Sequence, residues 1–596
     1  MHVSFASFHP LGRFTVGTAL ALSLGAVAAI AREFNFEPLA VPAAQKVTVS
    51  LPHYPGMSNP NPRGWYYKCA NVVTAANGSL VACYQASDNH TSLSTDIVVA
   101  RSTDGGKTWF GHRSIAHADV WVDHAVWVVP QMSVLRDDRI VIVCDRGERK
   151  PGEAWPMLSA WQTPSRGMAN YVLWSSDNGQ SWTRPAQVDN VGGEPGYVCE
   201  MANGTLGFAR TESVRTTVLR NPPAPWGEIY YRNRLVVSED GGKTWGAGAI
   251  LGDDPFQADC EVGLATASSG RVVAATRIGF GNGRFGNPSR LIWSADNGRT
   301  WETPIVAPFY GQRPHIGFLK SGKLLVTYRH VWGSPGTRAL LFGPEEQIPF
   351  QPSSWIVDEK RCQLAEGALQ LSTGKGNLEA VDFSLYPAAD DRSRVEVNAT
   401  LRVAAAEKNG CAISAGCWVR FLPDRICLAD RPSAGFAFDT RNWHSYRILR
   451  ENGNVSLYAD GALRLTESIR GLWVREVHFG NRPVTPANDD YAENRAETAW
   501  KAVSAKVDNP GQYSIDWKWD PSQGYPDQFR RDREVKLDSA YAADCGYSSW
   551  TQLHDGRIVI VDYTSDNMDS YSWGEVGHGA APIVRAYLVQ ERDLHR

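Results

Sequence analysis

The stretch Ser102-Thr103-Asp104-Gly105-Gly106-Lys107-Thr108-Trp109 has the composition of a tight turn. An aspartate there can hydrogen-bond the backbone of its own turn, and glycine supplies a positive φ without steric cost. The phrase returns as SSDNGQSW from Ser175, SEDGGKTW from Ser238 and SADNGRTW from Ser294. Recurrence at intervals of about 55–75 residues marks stacked supersecondary units. A second phrase runs beside the first, a two-residue turn followed by a β-branched run. It reads NGSLVACYQ from Asn77, DDRIVIVCDR from Asp137, NGTLGFARTE from Asn203, SGRVVAATR from Ser269, SGKLLVTYR from Ser321 and DGRIVIVDY from Asp555. These are hairpin turns feeding strands. The pattern predicts an all-β chain whose six units of four short strands close radially into a six-bladed β-propeller, leaving only short, protected edges.

The repeats pause after the fifth unit. Pieces such as SRVEVNATLRV from Ser393 and LWVREVHFGN from Leu472 follow as an antiparallel meander without the turn phrase. This segment resembles a concanavalin-like (laminin G-type) jelly roll, a lectin-like β-sandwich inserted between blades five and six. Carbohydrate binding or shielding of the propeller would suit it. The expected organisation is blades one to five over 32–345, the inserted sandwich over 346–500, and a return loop with blade six over 501–596. The piece SIDWKWDPSQGYPDQFRRD from Ser514 is read as part of that return, a loop near the central cleft.

The chain of 596 residues has 22 tryptophans and a net charge of −3, which argues against a nucleic-acid partner. Arg13 precedes an apolar run ending in Ala29-Ile30-Ala31, the pattern of a signal peptide over residues 1–31. A secreted or periplasmic protein without a membrane span is expected. None of the ten cysteines has the paired spacing of a zinc site, so neither metal nor other cofactor is implied. Export would permit disulfides, and Cys362, Cys411, Cys417 and Cys427 cluster in sequence.

The repeated S-x-D-x-G-x-T/S-W phrase resembles the Asp box (BNR repeat) of exo-sialidases. In that family an axial site holds the substrate carboxylate with three arginines, attacks with a Tyr–Glu pair, and uses an aspartate as acid and base. DCEVGLATASSGRVVAATR is similar to the family's stretch with a Glu at one strand's start and an Arg closing the next, which implies Glu261 and Arg277. SGKLLVTYRHVWGSPGTRALLFG implies Arg338, with Arg329 the alternative. GYSSWTQLHDGRIVIVDY implies Tyr547 as nucleophile. The acid/base aspartate is expected after the first blade's second strand. Asp88 is preferred there on loop placement, and Asp96 is the alternative. The chain departs from the family's Y/F-R-I-P opening: WYYKCANVV puts Lys68 where the first arginine is usual. Lysine keeps the charge and loses the bidentate fork, which leaves three readings: Lys68 grips the carboxylate as a point charge, the substrate's acidic group is placed differently, or Arg63, Arg146 or Arg210 compensates.

Chemistry explains these residue types. A sialic acid carries its carboxylate on the anomeric carbon, where a neutral phenol meets less repulsion than a carboxylate nucleophile. A phenol with an ordinary pKa near 10 needs a neighbouring base. Guanidinium forks suit the substrate carboxylate, and an aspartate must protonate the leaving oxygen and then activate water. The resemblance therefore implies a retaining exo-glycosidase acting on a glycan's terminal acidic sugar, a sialic acid or another 2-keto-3-deoxy sugar acid. Two other readings keep the fold. His124, His315 and Lys68 would suit a polysaccharide lyase or uronate-specific glycosidase, and a propeller can also bind carbohydrate without catalysis.

Overall fold

The computed structural model describes residues 39–40, 46–51, 66–88, 93–152, 167–216, 228–254, 259–278, 288–330, 336–343, 346, 348, 350–352, 360–375, 380–385, 392–407, 410–469, 476–481, 495–510, 514–529, 533–539, 545–565 and 582–594. The segment 1–31 expected as a signal peptide lies outside them, as does Arg63. Helix among the described residues is confined to two single turns, Pro521–Gln523 and Glu591–Leu594.

Six small sheets follow one another along the chain. The first comprises Tyr66–Thr74, Leu80–Ser87, Ser94–Ser102 and Phe110–Asp119. The second comprises Ala125–Val134, Ile140–Glu148, Met168–Ser175 and Ala186–Gln187, and the third Cys199–Glu200, Leu206–Thr216, Glu228–Ser238 and Gly246–Leu251. The fourth comprises Asp259–Thr266, Val272–Ile278, Arg290–Ser294 and Ile305–Val306. The fifth builds Gln312–Phe318, Leu324–His330 and Gly336–Phe342, then adds Val535–Lys536 and Leu39–Ala40 from remote parts of the chain. The sixth joins Ser549–Gln552, Ile558–Thr564 and Ile583–Val589 to the N-terminal Lys46–Thr48.

The second strands are unbroken apolar runs because both of their faces are covered. Val81, Ile97, Ile142 and Met132 share one core between the first two sheets, and Val143, Phe208 and Val236 share one between the second and third. Leu235 and Val262 join the third to the fourth, Val273 and Val326 the fourth to the fifth, and Leu325 and Ile560 the fifth to the sixth. Val72 and Ala82 then pack with Val559 and Val561, which joins the sixth sheet back to the first. Burial of apolar surface between consecutive sheets, including last against first, holds the assembly together.

The four Asp boxes sit just after the third strands of sheets one to four. In the first, Ser102 Oγ donates to Asp104 Oδ1 at 2.8 Å and accepts from Gly106 N at 2.9 Å. Thr108 donates through N and Oγ1 to the two Asp104 oxygens at 3.0 and 2.6 Å. Gly106 has φ 93°, and a Cβ there would meet Leu588 at 3.0 Å. Trp109 donates to Gly106 O at 3.1 Å and packs against the core between the sixth and first sheets. The box therefore fixes a turn and plugs the seam between neighbouring sheets.

Two larger sheets, one of eight strands and one of six, form between the fifth and sixth small sheets. They enclose a core around Phe383, Phe479, Trp500, Trp517 and Trp519. The expected boundary at residue 500 falls inside the strand Ala496–Asp508, which pairs with Arg394–Ala406. Ile515–Trp519, read as a return loop, pairs with that same strand. Its alternation buries Ile515, Trp517 and Trp519 while Asp516 and Lys518 face outward, which is a half-buried strand's pattern. The two large sheets therefore reach residue 519. All ten cysteines are buried thiols, so the clustered Cys362, Cys411, Cys417 and Cys427 pack without bridging. No described helix is long and apolar enough to cross a membrane.

Candidate active site

A backbone irregularity recurs where each small sheet begins. One residue there has a positive φ: Cys69 (54°), Val129 (56°), Glu194 (51°), Glu261 (43°), Arg313 (46°) and Gly546 (93°), in sheet order. In four sheets the pairing with the second strand slips at this point, between Lys68 and Asn71, Val128 and Gln131, Cys260 and Gly263, and Gln312 and His315. These are β-bulges, which bend a strand and re-aim a side chain. A positive φ on a non-glycine residue costs about 1–3 kcal/mol, and such strain collects at functional sites.

The bulges of the third, fourth and fifth sheets carry charge, and the sixth is followed at once by Tyr547. Tyr547 Oη donates to Glu261 Oε1 at 2.7 Å. Arg277, paired across from Cys260 on the next strand, places Nη1 at 2.8 Å from Glu261 Oε2 and 3.3 Å from the Tyr547 oxygen. Arg313 donates its backbone N–H to Glu261 Oε2 at 3.0 Å. Its guanidinium bonds Pro195 O at 3.2 Å and lies 3.7 Å from Glu194 Oε2. Arg329, across from Gln312, lays its guanidinium 3.7 Å from the centroid of the Tyr547 ring. It is held there by Cys545 O at 2.6 Å, Gln312 Oε1 at 3.2 Å and the Tyr563 hydroxyl.

The electrostatics follow from burial and charge. Burial pushes the Glu261 carboxyl up, but Arg277 and Arg313 outweigh it and hold the group down near 2, so Glu261 is an anion at neutral pH. Burial raises the Tyr547 phenol well above its ordinary value, and the Glu261 anion adds to this against Arg329 and Arg277. Such a phenol stays protonated unless a base takes its proton, and Glu261 is in hydrogen-bonding contact with it.

Tyr547, Glu261 and Arg277 therefore meet. Arg338 does not stand with them in the same way. It lies on the fifth sheet's third strand, where it donates to Asp538 O at 3.1 Å and lies 3.9 Å from Glu534. The guanidinium on the Tyr547 ring belongs to Arg329, the alternative, because the second strand ends beside the bulge and the third lies further out. Lys68 is buried at the first sheet's bulge, its ammonium 5.9 Å from the Tyr66 ring centroid. Its neighbour Cys69 packs in the cluster against which Tyr547 rests.

Of the compensating arginines, Arg146 stacks over Trp127, and Arg210 pairs with Asp189 and Glu212. The further guanidinium at the site is that of Arg313, which the sequence reading missed together with Glu194. A signal existed: Val129-Pro130, Glu194-Pro195 and Arg313-Pro314 repeat a bulge-then-proline step in the second, third and fifth sheets.

Asp88 is buried at the end of the first sheet's second strand, its Oδ1 accepting from Leu93 N at 2.8 Å and Ser94 N at 3.2 Å. Leu93 packs on the same cluster as Tyr547. Asp96 instead accepts from Ser114 Oγ at 2.5 Å and contacts His117 at 3.2 Å along the strand edge. His315 is buried with its ring 4.2 Å from that of Tyr197, and burial pushes its pKa down to about 3, so it is neutral. His124 sits on a turn, its Nδ1 3.1 Å from Val120 O. Among the described residues no group of three or more His, Cys, Asp or Glu side chains could hold a metal ion.

Residues 78–338 match the family described as BNR repeat-like domain. A sialidase from Paraclostridium sordellii is 23% identical over 283 residues, covering 43% of this chain and 62% of that protein. A sialidase from Clostridium perfringens is 22% identical over 265 residues, covering 41% of this chain and 63% of that protein. The chain thus spans less than two thirds of the length of either relative. Among solved structures, a protein of unknown function from Dyadobacter fermentans superposes with a TM-score of 0.39 at 18% identity, over 57% of this chain and 94% of that one. Trypanosoma rangeli sialidase in complex with sialic acid superposes with a TM-score of 0.38 at 11% identity, over 78% of this chain and 96% of that one. The family match, the curated relatives and the repeated Asp boxes together support a place for this chain in the sialidase and BNR-repeat superfamily.

Proposed function

We propose that the six small sheets are the blades of a six-bladed propeller, that the two large sheets are an inserted sandwich, and that the protein is an exported retaining exo-glycosidase of sialidase type. Its substrate is a glycan's terminal acidic sugar, a sialic acid or a related 2-keto-3-deoxy sugar acid. The observation that carries this reading is the contact of Tyr547 with the ionised Glu261 at 2.7 Å, with Arg277 3.3 Å from the same phenol oxygen.

Glu261 takes the phenol proton as Tyr547 oxygen bonds to the anomeric carbon. The glycosidic carbon–oxygen bond breaks, and Asp88 gives its proton to the departing oxygen. Water then yields a proton to Asp88 and its oxygen to the anomeric carbon. The tyrosyl bond breaks and Tyr547 regains its proton from Glu261. The substrate carboxylate is held by Arg277, Arg313 and Arg329, with Lys68 adding charge from the first sheet. These buried cations outnumber the ionised carboxylates beside them, which favours an anionic sugar. Arg313 Nη2 is buried without a hydrogen-bond partner among the described residues, so it has a donor to offer a ligand.

Release of 4-methylumbelliferone from its sialoside and from ulosonic-acid glycosides tests the reading. Turnover that vanishes in Tyr547→Phe supports it. No turnover of any of these glycosides would overturn it.

A further inference from the structure

Glu194 has no part in the chemistry above, yet it occupies the third sheet's bulge with 6% of its surface exposed. Ladder bonds continue past the short first strand to reach it, from Gly196 N to Ala209 O and from Thr211 N to Gly193 O, each at 2.8 Å. From the second sheet, the buried Asp145 carboxylate accepts from Glu194 N at 2.7 Å and Gly193 N at 3.3 Å, which pins the bulge. From the fourth sheet, Glu261 and Arg277 face the Glu194 carboxyl. From the fifth, Arg313 reaches both carboxyls, at 3.7 Å from Glu194 and 4.0 Å from Glu261. Cys260 of the fourth sheet, Tyr231 of its own sheet and Tyr547 of the sixth also lie in its field.

Two buried carboxyls that share one guanidinium cannot both ionise without strong mutual repulsion. We propose that Glu194 and Glu261 share one proton, carried by Glu194 and donated to the Glu261 carboxylate, so that Glu194 is a positioning residue that aims Glu261 at the Tyr547 phenol. Burial first, and the Glu261 anion second, push the Glu194 carboxyl up to about 8, while the arginines hold Glu261 low. The division of labour is physical: Glu261 has the Arg277 guanidinium at 2.8 Å and the Arg313 backbone N–H at 3.0 Å, whereas Arg313 stands 3.7 Å from Glu194. The inference deepens the glycosidase reading and rests on it for its catalytic meaning, though the shared proton itself does not require turnover.

A carboxyl raised in the folded state stabilises the fold below its unfolded value, and that stability is lost as pH rises through the folded value. Thermal unfolding of the full chain from pH 5.5 to 9.5 reads this directly. Glu194→Gln keeps a neutral donor, so its Tm should gain about 2 °C on wild type as pH rises through 8. Glu261→Gln removes the repelling anion and should flatten the same alkaline loss, giving a second test should the first variant fold poorly. Parallel Tm curves for wild type and the folded variants would overturn the proposal. With 4-methylumbelliferyl sialoside as probe, kcat/KM of wild type should fall above pH 8, and Glu194→Gln should carry the alkaline limb at least one pH unit higher. Glu194→Ala should lose about 10²-fold, restored by Gln. Absent turnover in wild type counts against the glycosidase reading and leaves the Tm comparison to decide the shared proton. An unmoved alkaline limb with normal turnover counts against Glu194.

Discussion

The Asp-box turns and the first-strand bulges are both repeated devices, and they are repeated in opposite ways. At the turns the residues recur and the backbone follows: Asp104, Asp177, Asp240 and Asp296 each accept from a serine two residues before and a threonine or serine four after. At the bulges the backbone recurs and the residues do not. Cysteine, valine, glutamate, arginine and glycine all take a positive φ there. A turn made by a side chain keeps that side chain. A bulge imposed by the pairing of two strands leaves the residue free to vary, and charge can be placed there sheet by sheet. Architecture is written at the turns and chemistry at the bulges.

The strongest way to break this contrast is to substitute at both kinds of position. Tyr547→Phe should lower kcat by about 10³-fold with little change in Tm, because only the hydroxyl bonded to Glu261 is removed. Next in size is the pair Arg329→Met and Arg338→Met. Loss of Arg329 should raise KM for an acidic sialoside by roughly 10- to 100-fold, the worth of one charge-assisted hydrogen bond, while loss of Arg338 should show chiefly in Tm. Equal KM effects would dissolve the distinction between the second and third strands. At the seam of the fifth and sixth sheets, burial and the neighbouring Asp538 push the Asp562 carboxyl up to about 8, where it accepts from Tyr587 at 3.0 Å and from Thr337. Its proton stabilises the fold at low pH, and that stability is lost as pH rises through 8, so Asp562→Asn should flatten a Tm decline of about 2 °C between pH 7 and 9. Smallest of all, Asp104→Ala should cost about 1 °C in Tm and leave kcat unchanged. Hydrogen bonds from Thr108 hold Asp104 at about 2, so the stability this group contributes persists above about 4 and fades as pH falls towards 2.

Much of this was legible beforehand, for reasons particular residues make plain. Ser102 to Trp109 could be read because every bond of the turn lies within eight consecutive residues. Glu261, Arg277 and Tyr547 could be proposed from a family likeness, residue by residue. The family likeness points to Arg338 with Arg329 the alternative, and spacing cannot say which strand of a hairpin ends beside a bulge. Glu194 and Arg313 escaped notice because each, read alone, is an ordinary charge before a proline. Leu39–Ala40, Lys46–Thr48 and Val535–Lys536 were missed since edge strands of two or three residues carry no periodicity to detect.

By itself the sequence determined the turns, the buried second strands and the all-β class, since short-range hydrogen bonding and apolar runs need only neighbours in the chain. The tertiary structure decided which charges meet. Glu194, Glu261, Arg277, Arg313, Arg329 and Tyr547 come from four different sheets, and only the packing of those sheets sets the distances on which their ionisation depends.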